Sequence, residues 1–192
     1  MKRTIFFLTA LFALAVAGHT QGLAVGSEMA NFELRDLNGN IQTLNRLKGQ
    51  KGAVVIFLSA GCPVVKAYKD RINQIAAEAE GKEINFIGIN SNSTESLSWV
   101  TSNAAQFGYR FPILIDKGNI LANTLDVQAT PEVYFIDSQK VLLYHGAIDN
   151  DRAGSHITDK YLTTAFDASL AGLQISRTLV APFGCTIKRG GH

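Results

Sequence analysis

The chain has 192 residues, enough for one ordinary domain with a sizeable core. Hydrophobic residues make up 46% and charged residues 18%, which excludes a disordered chain. Lysine and arginine number 18 against 16 acidic residues, which excludes both the basic stripe of a nucleic-acid binder and a strong electrostatic pull toward a membrane surface.

The first segment predicts a signal peptide over residues 1–17. Lys2-Arg3 is the charged start, residues 4–17 (TIFFLTALFALAVA) are apolar, and Ala15-Val16-Ala17 is the small-x-small pattern of a cleavage site. The apolar run is shorter than the roughly 20 residues of a spanning helix, so cleavage after Ala17 is expected and no membrane span should remain. The expected location is therefore outside the cytoplasm, periplasmic or secreted. Without Lys2 and Arg3 the charges balance at 16 of each sign.

Residues 18–30 read as a linker. Residues 32–35 alternate apolar and polar, residues 41–44 have apolar ends, and Asn38-Gly39 between them favours the positive φ angles of a tight turn, so a β-hairpin is predicted. Residues 53–58 (AVVIFL) form a continuous apolar run with β-branched members, the pattern of a buried central strand. Ser59-Ala60-Gly61 then turns the chain. Pro63 opens a segment whose apolar residues Val64, Tyr68, Ile72 and Ile75 recur with helical period. Cys62 is thereby placed at a helix N-cap. Residues 83–89 predict a second buried strand. Asn92 and Glu95 resemble a capping box opening a helix that runs to about Phe107. A strand over 111–115, a short helix over 117–125, a hairpin of 133–136 with 141–145, and a closing helix over 159–173 complete the pattern. The domain spans 24–173, and a tail, 174–192, carries Cys185. Alternating βαβ units and hairpins predict an α/β protein with a mixed central sheet flanked by helices.

Cys62 is the strongest chemical signal. Unpaired N–H groups and the helix dipole at an N-terminus favour an anion, which lowers a thiol pKa, and the thiolate is the reactive form. Lys66 lies one turn further on. The two cysteines of the chain, Cys62 and Cys185, would pair in an oxidising compartment. Closing a loop of about 120 residues stabilises by roughly 4–5 kcal/mol in the chain-entropy model. Thr130-Pro131 precedes the strand at 133–136. Only about 5–6% of X–Pro bonds are cis, so the local sequence alone favours trans.

Phe32 with Asp36-Leu-Asn-Gly39 and Leu44, the run Val54-Val-Ile-Phe-Leu-Ser-Ala-Gly-Cys62-Pro63, Thr130-Pro131-Glu-Val-Tyr-Phe-Ile-Asp137 and Gly146-Ala-Ile-Asp149 occur in this order. As a set they resemble the thioredoxin-like superfamily. The nearer likeness is to its redoxin branch, the alkyl hydroperoxide reductase/thiol-specific antioxidant and TlpA-like proteins. The resemblance implies a thioredoxin-like fold, Cys62 as the attacking cysteine, and Pro131 as a cis proline beside it.

The sequence also departs from the family's patterns. Val65 stands where a Cys-x-x-Cys reductase keeps its resolving cysteine, and Ile56 where thioredoxins keep a buried acid. Ser59 fits the hydroxyl position of the peroxiredoxin motif, but Val55 replaces its proline and Pro131 stands at the place of its arginine. Cys185, in Gly184-Cys185-Thr-Ile, is the candidate to supply the missing resolving sulfur. The candidate catalytic residues are thus Cys62, Cys185, Pro131 and Ser59. No cofactor and no metal site is expected.

The expected function is thiol–disulfide exchange with protein or small-molecule thiol partners, and weak peroxide turnover. Two rivals stand beside it: a non-catalytic thioredoxin-fold binding module, and a copper(I)-handling protein using the same two soft sulfurs. His19, His145, His156 and His192 each read as surface or satisfied residues. Asp149-Asn150-Asp151 reads as a solvated acidic loop.

Overall fold

The computed structural model describes residues 22–190; the predicted signal peptide lies outside them. The centre of the molecule is β3 (Gly52–Leu58), in which every residue is buried. It runs parallel to β4 (Ile84–Asn90) and antiparallel to β7 (Glu132–Asp137). Its side chains alternate between two cores, as the period of a strand requires. Val54, Ile56 and Leu58 join one, Ala53, Val55 and Phe57 the other. Both faces are covered, which explains why the strand is continuously apolar.

The first core is roofed by α2 (Pro63–Glu80), α3 (Leu97–Phe107) and α5 (Tyr161–Leu170), which bury Tyr68, Ile72, Val100, Leu162 and Phe166. The second lies under α1 (Leu44–Leu47) and α4 (Ile120–Thr124), which bury Leu44, Leu121 and Ala122. With β1 (Glu33–Asp36), β2 (Ile41–Thr43), β5 (Ile113–Ile115), β8 (Leu142–Gly146) and β9 (Leu179–Val180), the sheet has eight strands in the order β2-β1-β5-β4-β3-β7-β8-β9. β3, β4 and β5 are mutually parallel; the hairpins at each side add antiparallel strands. The mixed α/β architecture is the one expected from the sequence.

The β1–β2 turn forms as Asn-Gly suggests. Gly39 takes φ 86°, and the Asp36 carboxylate accepts from the backbone N–H of Asn38 and Asn40.

Three local expectations are corrected. The helix after β4 is not opened by Asn92 and Glu95; Ser96 is its N-cap and accepts from Trp99 N–H. Thr130–Pro131 is cis, against the local expectation and in line with the resemblance. The acidic loop is not wholly solvated: Asp149 is 3% exposed, ion-paired with Arg71 at 2.7 Å and hydrogen-bonded by the Tyr68 hydroxyl at 2.6 Å.

The tail is ordered into the domain. β9 pairs with β8, setting Gly146 opposite Val180. A second, two-stranded sheet joins β10 (Cys185–Thr186) to β6 (Ala129–Thr130).

Candidate functional site at the N-terminus of α2

β3 delivers the chain to a tight turn, and Cys62 follows it as the N-cap of α2, with φ −82° and ψ 117°. Pro63 occupies the first helical position, where its missing N–H costs nothing. No acidic residue stands in the first turn of the helix. Lys66 is exposed on the next turn.

The turn before Cys62 is held by Glu95. Its carboxylate accepts from the Ser59 hydroxyl at 2.6 Å, from Ala60 and Gly61 N–H at 2.9 Å each, and from Asn90 Nδ2 at 2.6 Å. Gly61 lies against the Trp99 ring, which an added Cβ would approach to 3.1 Å.

Cys62 is joined to Cys185 by a disulfide, with Cα atoms 5.9 Å apart, inside the range such bonds adopt. The Cys62 sulfur also lies 3.2 Å from the carbonyl oxygen of Thr130, immediately before cis Pro131. Cys185 reaches this place because β10 pairs antiparallel with β6, Cys185 opposite Thr130 and Thr186 opposite Ala129. Gly184 is needed for that approach, since a Cβ there would collide with the Thr130 carbonyl oxygen. Cys62, Cys185, Pro131 and Ser59 are thus grouped at one end of β3.

Beneath the proline, Glu132 is fully buried. One of its oxygens accepts from Gln128 and Ala129 N–H, at 2.9 Å each. The other accepts from the Tyr134 hydroxyl at 3.1 Å and lies 2.6 Å from His145 Nε2. Burial, reinforced by the Glu132 charge, holds the Tyr134 phenol far above its ordinary value, so it stays a donor. Tyr68 is held up in the same way, by burial first and by the Asp149 hydrogen bond second.

Past Cys185 the tail is fixed without help from the disulfide. Ile187 is 6% exposed within the second core. The Lys188 carbonyl accepts from Ser93 N–H, and Lys188 N–H donates to Asn92 Oδ1, both at 2.8 Å. Arg189 donates to Asn123 Oδ1 at 2.8 Å and to the Val127 carbonyl at 2.7 Å.

Sequence reasoning missed Glu132 and this clamp, and placed Glu95 in a helix cap instead of under the turn before Cys62. A lone acid directly after Thr130-Pro131, heading an apolar strand, was the signal for Glu132. Val65 and Ile56, which replace polar residues of the related families, are fully buried in the first core. Among the described residues no group of three or more histidine, cysteine or acidic side chains is placed to hold a metal ion. His145 is engaged with Glu132, while His19 and His192 lie outside the described residues.

A disulfide at a helix N-terminus beside a cis proline, on a central mixed sheet flanked by helices, defines a thioredoxin-like protein. The fold matches the thioredoxin domain of a thiol-disulfide oxidoreductase from Bacteroides vulgatus with a TM-score of 0.56 at 19% identity, over 65% of this chain and 89% of that one. The family model of the AhpC/TSA family matches residues 25–145, and the chain belongs to that family. It is also similar to the thiol-disulfide oxidoreductase ResA of Bacillus anthracis, at 29% identity over 115 residues. That alignment takes in 60% of this chain and 65% of the relative's length. A hypothetical protein of Sinorhizobium meliloti 1021, whose crystal structure is known, is 31% identical with a TM-score of 0.82, over 90% of this chain and 98% of that one.

Proposed function

We propose that the protein is a thiol–disulfide oxidoreductase whose redox couple is Cys62 with Cys185. The observation that carries this reading is the Cys62–Cys185 disulfide, set at the N-terminus of α2 against cis Pro131. In the reduced protein the Cys62 thiolate attacks a partner disulfide: a new bond forms to Cys62 and one partner sulfur leaves as thiolate. Cys185 then attacks Cys62, closes the internal disulfide and releases the second partner sulfur. The helix N-terminus favours the thiolate at Cys62, and the paired β10 keeps Cys185 within bonding reach. The sulfurs carry the electrons themselves, so the reaction needs no cofactor. The similarity to ResA supports thiol and disulfide partners, proteins or small molecules.

Peroxide turnover is slow in this reading. A separating peroxide bond needs donors aimed at the developing charge. The Ser59 hydroxyl already donates to Glu95, and the arginine that peroxiredoxins use is replaced by Pro131. Ser59 acts instead with Glu95 in shaping the turn. The protein acts outside the cytoplasm if residues 1–17 direct export; no helix among the described residues is long and apolar enough to cross a membrane. The catalytic domain is 24–173, with 174–192 as the segment that brings Cys185.

The test is exchange with a disulfide substrate. Cys62→Ser should abolish it, and Cys185→Ser should trap a mixed disulfide on Cys62. The reduction potential of the pair should be labile. A value below about −300 mV marks a structural bond. Such a value, with no exchange by the unaltered protein, would overturn the redox reading and leave a binding module.

A further inference from the structure

The two sulfurs of the closed disulfide differ in what surrounds them. Cys62 is 2% exposed and belongs to the first core, among Leu58, Val65 and Val133. Its sulfur lies 3.2 Å from the Thr130 carbonyl oxygen, and β10 is paired with the strand that carries Thr130. Cys185 is only half-buried, packed on the edge of that core, and its neighbour Thr186 is exposed.

A thiolate that opens a disulfide must approach the attacked sulfur from the side away from the leaving one. In the closed disulfide Cys62 is buried and Cys185 is the more exposed of the two, so an external thiolate meets Cys185 first. The leaving groups differ in the same sense. Cys62 departs at the N-cap of an 18-residue helix with no acidic residue in its first turn. Cys185 would depart from a two-residue strand without such support. A thiol of lower pKa leaves faster.

We infer that the oxidised protein is opened at Cys185, with Cys62 as the leaving thiolate, the reverse of the order in which Cys62 attacks a substrate. The inference rests on the redox reading above and assigns the entry point of the reductant, a thiol. The electron pair of the external thiolate forms a bond to the Cys185 sulfur. The bond between Cys185 and Cys62 breaks, and its pair goes to Cys62. A second external thiolate attacks the external sulfur of the adduct, forming an external disulfide and releasing Cys185. Two thiols are oxidised, the protein disulfide gains two electrons, and the two thiol protons are available to the two cysteines. Cys185 does not leave the site between these steps, because Ile187, Lys188 and Arg189 hold the tail independently of the disulfide.

The experiment uses the oxidised full chain and glutathione. Protein and excess glutathione are mixed, quenched with N-ethylmaleimide at short times, and mapped as unreduced peptides. The expected product carries glutathione on Cys185 and maleimide on Cys62, at least tenfold over the opposite arrangement. The opposite arrangement in excess would overturn the inference and leave the redox reading standing. A protein that acquires neither label has an inert disulfide, and both readings fall. If full reduction outruns the quench, the mixing is repeated at lower glutathione concentration and lower pH, and the same ratio of the two adducts is read.

Discussion

At the scale of single residues, the Cys62–Cys185 pair stands beside a turn that one carboxylate, Glu95, holds by four hydrogen bonds. Cys62 announced itself by standing between an apolar strand and a proline-led helix, and Cys185 by being the other cysteine. Glu95 was misread because its spacing from Asn92 fits a helix cap, whereas its partners Ser59, Ala60 and Gly61 are more than thirty residues away in sequence. Glu95→Ala leaves four donors without their acceptor. Hydrogen bonds to charged groups contribute about 1.5–3 kcal/mol each, and solvent at this partly exposed turn replaces some of them. The expected loss is about 2–3 kcal/mol by urea unfolding, together with slower disulfide exchange. Arg71→Met isolates a buried carboxylate. Asp149 then keeps the Tyr68 hydroxyl and the Asp151 N–H but no cation, and removing one partner of a buried pair costs about 3–5 kcal/mol. A midpoint shift worth under about 1 kcal/mol would show that water reaches Asp149.

At the scale of elements, periodicity gave β3, α2, β4 and β7 because these elements are long or continuously apolar. α1 and β6 are too short to show a period, and nothing local marks residues 179–180 or 185–186 as strands. Their pairing is decided by long-range contacts: β9 on β8, and β10 on the segment before Pro131. The sequence marked the tail only as the carrier of Cys185, and the structure fixes it on both sides of that residue. Reduction of the disulfide should therefore leave it docked, with the Ser93 and Lys188 amides still protected in hydrogen exchange. Ile187→Asp puts a charge into the second core and should strip that protection in the reduced protein. Cys185→Ser should lower unfolding stability by roughly 4–5 kcal/mol, the entropy that a cross-link of this span removes from the unfolded chain.

At the scale of the whole molecule, stability should depend on pH through carboxylates that titrate low in the fold. Asp36 is held below the ordinary carboxylate range by the Gln42 side chain and by the Asn40 and Asn38 N–H groups. Asp151 is held down by the backbone N–H groups of His156 and Ala153. The unfolded chain takes up protons at these sites first, at about pH 3.9. The stabilisation is thus complete above that value and is lost as pH falls toward the lowered folded values. A thermal midpoint that falls between pH 5 and pH 3, and falls less in Asp36→Asn and Asp151→Asn, is the expected result. The long span between the two cysteines also has a consequence in time. Cys185 lies 123 residues after Cys62, and no other cysteine is present. At a synthesis rate of about 5–20 residues per second, Cys62 emerges roughly 6–25 s before its partner exists. Through that interval any disulfide it forms is with another molecule, and such a bond has to be exchanged away before Cys62 can pair with Cys185.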